Sequence, residues 1–472
     1  MSVSENVAFA ARSRAPFSGP KIEEARALGR LALPIMAIAL VNMGMSLTDA
    51  AMVAWLFGAD ALAAVAVGSD LYSIVFYVGA GTLAGVAPFY PAAVARTDAA
   101  ARARLERIGW RAVALLAALS VPVVWTAPVW LGGLGLDPAL LAGGAGYTRA
   151  MALTLVPMLG VVLYRTLLTA AEKPRVFLKV TLAMLPLNAG ANYVLMTGAG
   201  PLPVFGATGA GLASLLVAAC SLGLLAFIAR RGRAPTAGPA DRTDWAEFAA
   251  VLRVGVPIGI ATVAEVGVFL GATLYAGRLG AADVAAHTLT LRIAGVAYAV
   301  PTALLAASMI RVARAEGLGD PRAARSVIAA SLALSLVFGV VSFLILAGGA
   351  APLASAFFDD SAAGLAAANL AVGLLVLLGG IEFAANPGLA AAGLLRGRKD
   401  TRAPMLYVLF GNWAVGAPLG LWLCEFHDLG ITGIWVGLAA GTGTTTALML
   451  ARLANVPFAS ARGVVAPGRT SR

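Results

Sequence analysis

Asp49 is a lone carboxylate in an apolar stretch, LTDAAMVA, that runs from Leu47 to Ala54. At the depth of a lipid bilayer a charged side chain costs about 2.5 kcal/mol or more, so Asp49 must face water or bind a proton, a cation or a basic partner. Asn188 and Asn192, in PLNAGANY, are four residues apart and share one helix face. Their amides can present carbonyl oxygens to an ion, bond a carboxyl group, or join two helices. We interpret Asp49 as a candidate proton or cation site; a structural hydrogen-bond acceptor is the alternative.

Three more charged residues lie in apolar stretches of the second half: Glu265 in VAEVG, Arg292 in TLRIAG and Glu382 in GIEFAANPG. A guanidinium group keeps its proton, so Arg292 must be paired or face water. We predict that Arg292 neutralises Glu265 or Glu382, and an anionic group of a bound compound is the alternative partner. Asp70 and Arg165 form a second candidate pair, unless they lie near a membrane interface.

Motifs for catalysis, nucleotide binding and metal binding are missing from the sequence. GTGTTT, which begins at Gly441, lacks the lysine of a Walker A loop, and no HExxH motif occurs. His287 and His427 are far apart, and we interpret His287 as structural. Cys220 and Cys424 lie in or at the end of apolar stretches and indicate no disulfide framework. We therefore expect no enzyme, no cofactor and no certain metal site, and any transport must draw its energy from an ion gradient.

The elements that must position these residues are membrane-spanning helices. Of the 472 residues, 60% are hydrophobic and 12% are charged, and the mean hydropathy is +0.87. Such a chain lies mostly in hydrocarbon, where a helix needs about 20 apolar residues to cross the bilayer. The sequence predicts an all-α polytopic membrane protein with twelve transmembrane helices. Their approximate spans are 28–55, 61–90, 109–131, 147–171, 176–198, 206–230, 247–277, 284–313, 325–350, 362–395, 403–424 and 430–455.

The basic residues predict the orientation of the chain. Counted over the breaks between spans, 30 of the 34 Lys and Arg residues lie on one side, and the opposite turns are acidic or neutral. Because Lys and Arg are retained in the cytoplasm during insertion, we expect both termini to be cytoplasmic. The net charge of +11 follows from this topology. We therefore expect membrane lipids as neighbours and no nucleic-acid partner.

Internal similarity predicts that the chain contains two related halves. LPI around Pro34 recurs as VPI around Pro257, and GATG from Gly206 recurs as GITG from Gly430, at almost the same separation along the chain. Nearly constant offsets are typical of transporters built from repeats. The predicted organisation is a cytoplasmic arm (1–27), a first six-helix lobe (28–230), a cytoplasmic linker (231–246), a second six-helix lobe (247–455) and a cytoplasmic tail (456–472).

From about residue 28 to residue 455, the chain resembles the MATE (multidrug and toxic compound extrusion) transporters, particularly their NorM-like bacterial branch. The resemblance rests on LTDAAMVAWLFGADALAAVAVG, LPLNAGANY, FGATGAGLAS, GVPIGIATVAEV, GAADVAAHTLTLRIAG and LLRGRKDTRAPM, in the order and spacing of the family. It implies two pseudo-symmetric lobes arranged as a V around a central cavity. It also implies export of small organic compounds, often cationic and amphipathic, in exchange for protons or sodium ions.

The resemblance also implies roles for individual residues. Asp49 matches the central ion-coupling carboxylate of the N-terminal lobe, and polar positions of the fifth and sixth spans fall on Asn188, Asn192 and Ser214. Glu265 matches an acidic position used for cation coupling in the C-terminal lobe.

Two positions depart from the family pattern. The aspartate of the tenth span falls on Ala385, with Glu382 one helical turn earlier, and a position of the eighth span that is usually Asn is Arg292. A fixed cation near the C-terminal acid can occupy the place of a metal ion. We therefore favour proton coupling centred on Asp49, with sodium binding at Asp49 as the alternative.

The sequence and the resemblance together predict a monomeric secondary active antiporter in the inner (cytoplasmic) membrane. It would export small, drug-like organic compounds by alternating access. The alternative is a flippase for a lipid-linked saccharide or precursor, from the same broader superfamily. Such a flippase would need a strongly cationic cavity, and only Arg165 and Arg292 can contribute to one from within the spans.

Overall fold

The computed structural model describes residues 21–133, 138–199, 203–231, 245–359 and 361–456. Twelve long helices occupy these residues, at the positions of the twelve predicted spans. Eleven are long and apolar enough to cross a membrane, and α5, with 24 residues, is the twelfth. The helices are α1 Ile22–Gly58, α2 Asp60–Ala95, α3 Ala99–Trp125, α4 Pro138–Ala170, α5 Pro174–Thr197, α6 Ala207–Arg231, α7 Trp245–Ala276, α8 Ala281–Gly317, α9 Pro321–Phe357, α10 Ala362–Gly397, α11 Arg402–Phe426 and α12 Gly430–Asn455.

The segments predicted to flank the lobes are only partly described. Residues 1–20 of the predicted arm lie outside the described residues, and its remaining residues, 21–27, are helical and continue into α1. Residues 232–244 of the predicted linker and the tail from residue 457 also lie outside the described residues. The division into arm, lobes, linker and tail stays a prediction.

Local breaks and caps divide the helical chain. Helix α1 ends at Gly58, whose φ of 84° and ψ of −177° are readily adopted only by glycine. Helix α8 is interrupted at Tyr298, three residues before Pro301, which cannot donate a backbone hydrogen bond. Asp320 caps α9 by accepting hydrogen bonds from the backbone N–H groups of Arg322 and Ala323, at 3.0 and 2.9 Å.

The helices form two compact units, and their bounds differ from those of the predicted lobes. Of the described residues, the first unit contains residues 21–32, the segment Pro88–Asp98 and the residues from Ala272 to Val456. The second unit contains Leu33–Ala87 and Ala99–Gly271. Asp49 and the two asparagines of α5 therefore lie in the second unit, and Arg292 and Glu382 lie in the first.

Glycine pairs allow close helix packing inside each unit. In the second unit, a Cβ atom on Gly85 of α2 would lie 2.5 Å from the Cα atom of Gly255 on α7. In the first unit, a Cβ atom on Gly437 of α12 would lie 2.5 Å from the Cα atom of Gly420 on α11. Backbones this close exclude any side chain, which is the usual role of small residues between membrane helices.

Candidate ion-coupling site

The carboxyl group of Asp49 connects α1 to α5. Asp49 is half-buried, and its Oδ1 atom accepts a hydrogen bond of 2.5 Å from the Nδ2 atom of Asn192. The amide of Asn188 is a second hydrogen-bonding neighbour of the same carboxyl group. The structure thus brings together the acid and both amides, although Asn192 is 143 residues from Asp49 in sequence.

The regular helical geometry of α5 explains why both amides face Asp49. Asn188 and Asn192 are separated by one helical turn and are 2% and 0% exposed. Among the described residues, the Oδ1 atoms of both asparagines have no hydrogen-bond partner. Buried amide oxygens are costly to leave unbonded, so this pair of acceptors marks a place where another group can bind.

Tyr147 of α4 adds a third polar group near Asp49, one that the sequence analysis missed. Its ring is 8% exposed, its hydroxyl group is hydrogen-bonded to Ser69, and Asp49 and Asp70 lie within electrostatic range. The rest of the ring packs in an apolar cluster that includes Val53 of α1. A tyrosine in an apolar span carries no motif of its own, so only the packing of α1, α2 and α4 reveals it.

Ser214, the remaining residue assigned by resemblance, lies on α6. Its hydroxyl group donates to the carbonyl oxygen of Ala210 in the same helix, at 3.1 Å. Ala210 belongs to the apolar cluster that packs against Tyr147. The structure therefore places Ser214 one helical turn after a residue of that cluster, with its hydroxyl group bonded to its own helix.

Glu382 of the first unit is bonded very differently. It is 2% exposed, and its Oε2 atom accepts a hydrogen bond of 3.3 Å from the Nδ2 atom of Asn386, one turn later in α10. The same Nδ2 atom donates to the Glu382 backbone carbonyl at 2.8 Å. Asn386 is 0% exposed, and its Oδ1 atom has no partner among the described residues. Sequence reasoning missed Asn386, although an asparagine before Pro387 in an apolar span was a visible signal.

The predicted ion pairs of the spans have mixed outcomes. Arg292 is exposed on α8 and forms no ion pair with Glu382, and both residues lie in the described part of the first unit. Glu265 is half-buried on α7 and belongs to the second unit, so its pairing with Arg292 stays a prediction. In the described second unit, Asp70 and Arg165 are likewise not paired with each other: Asp70 is exposed and Arg165 is partly buried.

His287 holds α8 against α12 and α7. The indole Nε1 atom of Trp435 donates to its Nδ1 atom at 3.1 Å, and its Nε2 atom lies 2.9 Å from the hydroxyl oxygen of Thr273. An indole can only donate, so Nδ1 must be the acceptor and Nε2 must carry the proton. The 1% exposed imidazole is therefore held in one neutral tautomer. This supports the structural interpretation of His287.

In the described residues, no group of three or more His, Cys, Asp or Glu side chains could hold a metal ion.

A buried ion pair joins the start of α1 to α8 within the first unit. The Nε and Nη2 atoms of Arg311 donate to the two carboxylate oxygens of Glu24 at 2.7 and 2.8 Å. The two side chains are 8% and 10% exposed. Nearby, Arg96 donates to the carbonyl oxygen of Gly317 at 2.6 Å. These contacts place the residues predicted to be a cytoplasmic arm and the end of α2 against α8.

Comparison with known proteins agrees with this architecture. The family model MatE matches two segments of the chain, residues 34–194 and 257–422. The chain is 34% identical over 437 residues to a probable multidrug resistance protein NorM from Bradyrhizobium diazoefficiens, covering 90% of this chain and 91% of the relative. It is 33% identical over 428 residues to the multidrug resistance protein NorM of Burkholderia vietnamiensis, covering 89% and 91%.

Solved structures share the fold. The crystal structure of the eukaryotic MATE transporter AtDTX14 matches with a TM-score of 0.82 at 16% identity, covering 93% of this chain and 97% of that one. A MOP superfamily transporter from Pyrococcus furiosus matches with a TM-score of 0.80 at 16% identity, covering 91% and 95%. The helices and their arrangement therefore define a multi-pass membrane protein with the MATE transporter fold. The chain belongs to the MatE family.

Proposed function

We propose that this protein is a secondary active antiporter that exports small organic compounds, drug-like and often cationic, in exchange for protons. The observation that carries the proposal is the Asp49 carboxyl group, which lies inside a membrane helix and is bonded to the amide of Asn192 on another helix. The names of the relatives, multidrug resistance proteins, support drug export. The sequence has no nucleotide-binding motif, which favours an ion gradient as the energy source.

Proton exchange at Asp49 would change the bonding between α1 and α5. As a carboxylate, Asp49 only accepts, and it accepts from Asn192 in the structure. As a neutral acid it gains an O–H donor, and the two asparagines that neighbour it carry buried Oδ1 atoms that have no partner among the described residues. Each proton taken up or released would therefore exchange donor and acceptor roles between two helices. Such an exchange can bias two helix arrangements, and alternating access requires such a bias.

Sodium is the second coupling ion that the site can accommodate. A carboxylate and two amide oxygens are hard oxygen donors of the kind that alkali and alkaline-earth cations prefer. We favour the proton because one carboxyl group and two amides suffice to hold and bond it, whereas a sodium ion needs more oxygen ligands. We further propose a monomer in the inner membrane with both termini in the cytoplasm, as the distribution of Lys and Arg predicts.

Transport by purified protein in liposomes tests the proposal. A proton gradient and a sodium gradient are imposed separately while the efflux of ethidium is followed by fluorescence. We expect ethidium transport under the proton gradient, a much smaller response to sodium, and loss of the gradient-driven component in Asp49→Asn. Asp60→Asn is the matched control, because Asp60 is an exposed residue just beyond the end of α1.

Two results would contradict the proposal. If Asp49→Asn transports ethidium as the wild type does at equal reconstitution, Asp49 is not the coupling residue. If only the sodium gradient drives transport, the antiporter is sodium-coupled and the proton assignment is wrong.

A further inference from the structure

Helix α11 contains a π-helical segment, Phe410–Gly416, that the sequence does not predict. Its hydrogen bonds span five residues, as in the bond from the Ala417 N–H group to the carbonyl oxygen of Asn412. Short π-helical segments inside α-helices are frequent at functional sites because they redirect side chains and backbone groups.

The neighbouring helix α12 supports this segment. A Cβ atom on Gly416 would lie 3.0 Å from the carbonyl oxygen of Gly437, so the two backbones are nearly in contact. The hydroxyl group of Thr445 donates to the carbonyl oxygen of Tyr407 at 3.2 Å, just before the segment begins. The packing of α12 thus holds α11 in a conformation that its own sequence does not require.

Asn412, inside the π-helical segment, is a polar side chain that the fold leaves unused. The residue is 9% exposed. Among the residues that the structure describes, none forms a hydrogen bond with its side-chain amide. The side-chain atoms of Asn412 are not among the fully buried described atoms that lack a partner, so its amide is accessible and a group from outside the chain can bond it.

The repeat shows what an amide at this position does elsewhere in the molecule. By the separation between the GATG and GITG segments, from Gly206 to Gly430, Asn412 is the repeat equivalent of Asn188, whose amide is a neighbour of Asp49. By the separation between Pro34 and Pro257, Ala272 is the repeat equivalent of Asp49. The first unit therefore keeps the amide and lacks the carboxylate that this amide accompanies in the second unit.

We propose that Asn412 is a specificity-determining residue that donates a hydrogen bond to a carboxylate of the transported compound. The inference rests on the proposed function, because it concerns what the exporter binds. The substrate carboxylate would occupy the bonding position that the chain itself fills with Asp49 in the second unit. Compounds that carry a carboxylate in addition to a cationic group would then bind better than their esters.

Two dyes that differ only in this group test the proposal: tetramethylrhodamine with a free carboxylate, and its methyl ester. Binding to the purified full-length protein is measured by fluorescence anisotropy, and transport in liposomes gives KM and kcat. A hydrogen bond to a charged group corresponds to about tenfold or more in affinity. We expect Asn412→Ala to lose about tenfold in affinity for the acid, to raise its KM, and to leave binding of the ester unchanged.

Three further variants separate recognition from folding. Asn412→Asp should reverse the preference because its carboxylate repels the acid, and Asn412→Gln should restore part of it. Asn455→Ala is the matched control, since the Asn455 amide donates to Ala451 at the end of α12, on the chain's own backbone. An equal loss for both dyes in Asn412→Ala, or unchanged affinities for both, would overturn the inference. If the wild type moves neither dye under any gradient, the proposed function fails and the inference fails with it.

Discussion

The carboxyl groups of Asp49 and Glu382 each accept a hydrogen bond from an asparagine amide inside a membrane helix. The bond of Asp49 joins two helices, whereas the bond of Glu382 lies within one helix. Asp49 is half-buried and bonds Asn192 on another helix. Glu382 is 2% exposed and bonds Asn386 one turn later in its own helix. A change in protonation at Asp49 therefore alters the contact between two helices, whereas a change at Glu382 is absorbed within α10. We propose that this difference in access and connectivity makes Asp49 the coupling group and Glu382 a buried structural acid.

The largest expected effect on transport comes from neutralising the two acids separately. Asp49→Asn should reduce gradient-driven efflux by at least about tenfold, since coupling between two bound species is typically worth 5- to 150-fold. Glu382→Gln keeps an acceptor for Asn386 and should transport nearly as the wild type does. The measurement is ethidium efflux from liposomes at matched protein content. Equal losses in both variants would erase the distinction between the two acids.

The sequence predicts the positions of all twelve helices because apolar runs are set by the membrane itself. It misplaces helix ends that carry charge. Helix α3 is predicted from residue 109, but it begins at Ala99 because the arginines of its first turns are compatible with a helix that extends beyond the hydrocarbon. The helical end of the predicted arm, residues 21–27, is also missed; Glu24 in this segment bonds Arg311, which is 287 residues away in sequence.

The candidate site was predictable only as far as local spacing reaches. Four-residue spacing placed Asn188 and Asn192 on one helix face. It predicted that their amides can bond a carboxyl group, but the spacing alone did not identify that group as Asp49. Tyr147 could not be found, because its role depends on how α4 packs against α1 and α2. The π-helical segment of α11 was equally invisible, because its contacts are with glycines and a threonine of α12 that are distant in sequence.

The two units also differ in how deeply an ion pair is buried, and this difference should affect stability. Glu24 and Arg311 in the first unit are 10% and 8% exposed, whereas Arg104 and Glu247 in the second unit are 45% and 24% exposed, with a distance of 2.7 Å between Nε and Oε2. Arg311→Gln leaves a buried carboxylate unpaired and should lower the free energy of unfolding by about 3–5 kcal/mol. Arg104→Gln should cost less than about 1 kcal/mol, because solvent screens an exposed pair.

Unfolding of the purified protein in detergent, followed by tryptophan fluorescence in increasing denaturant, measures both values. The double variant Glu24→Gln, Arg311→Gln should recover part of the loss, because it removes the unpaired charge. If Arg311→Gln and Arg104→Gln cost the same, burial of the Glu24–Arg311 pair does not stabilise the first unit.

Close glycine contacts give a third, smaller difference, this time between packed and open helix faces. A Cβ atom on Gly85 would lie 2.5 Å from the Cα atom of Gly255, and no atom lies within 4 Å of a Cβ atom placed on Gly223 of α6. Gly85→Ala should cost about 1–3 kcal/mol through overpacking. Gly223→Ala should be neutral or stabilising by up to about 1 kcal/mol, because alanine favours helix. Thermal unfolding of both variants compares them directly, and a stable Gly85→Ala would show that α2 and α7 can separate without cost.

The smallest expected effect concerns the threonines of α12. Thr445 donates across to the Tyr407 carbonyl of α11 at 3.2 Å, whereas its neighbour Thr444 donates to Ala440 in its own helix at 2.8 Å. Thr445→Val keeps the shape of the side chain and removes that donor, so it should cost about 1 kcal/mol. Thr444→Val is the matched control and should change little, because the Ala440 carbonyl keeps its helical bond. If the π-helical segment depends on α12, Thr445→Val should also weaken binding of the carboxylated dye at Asn412, and Thr444→Val should not. A stability loss in Thr445→Val with unchanged dye binding would show that α11 maintains the segment without the threonine.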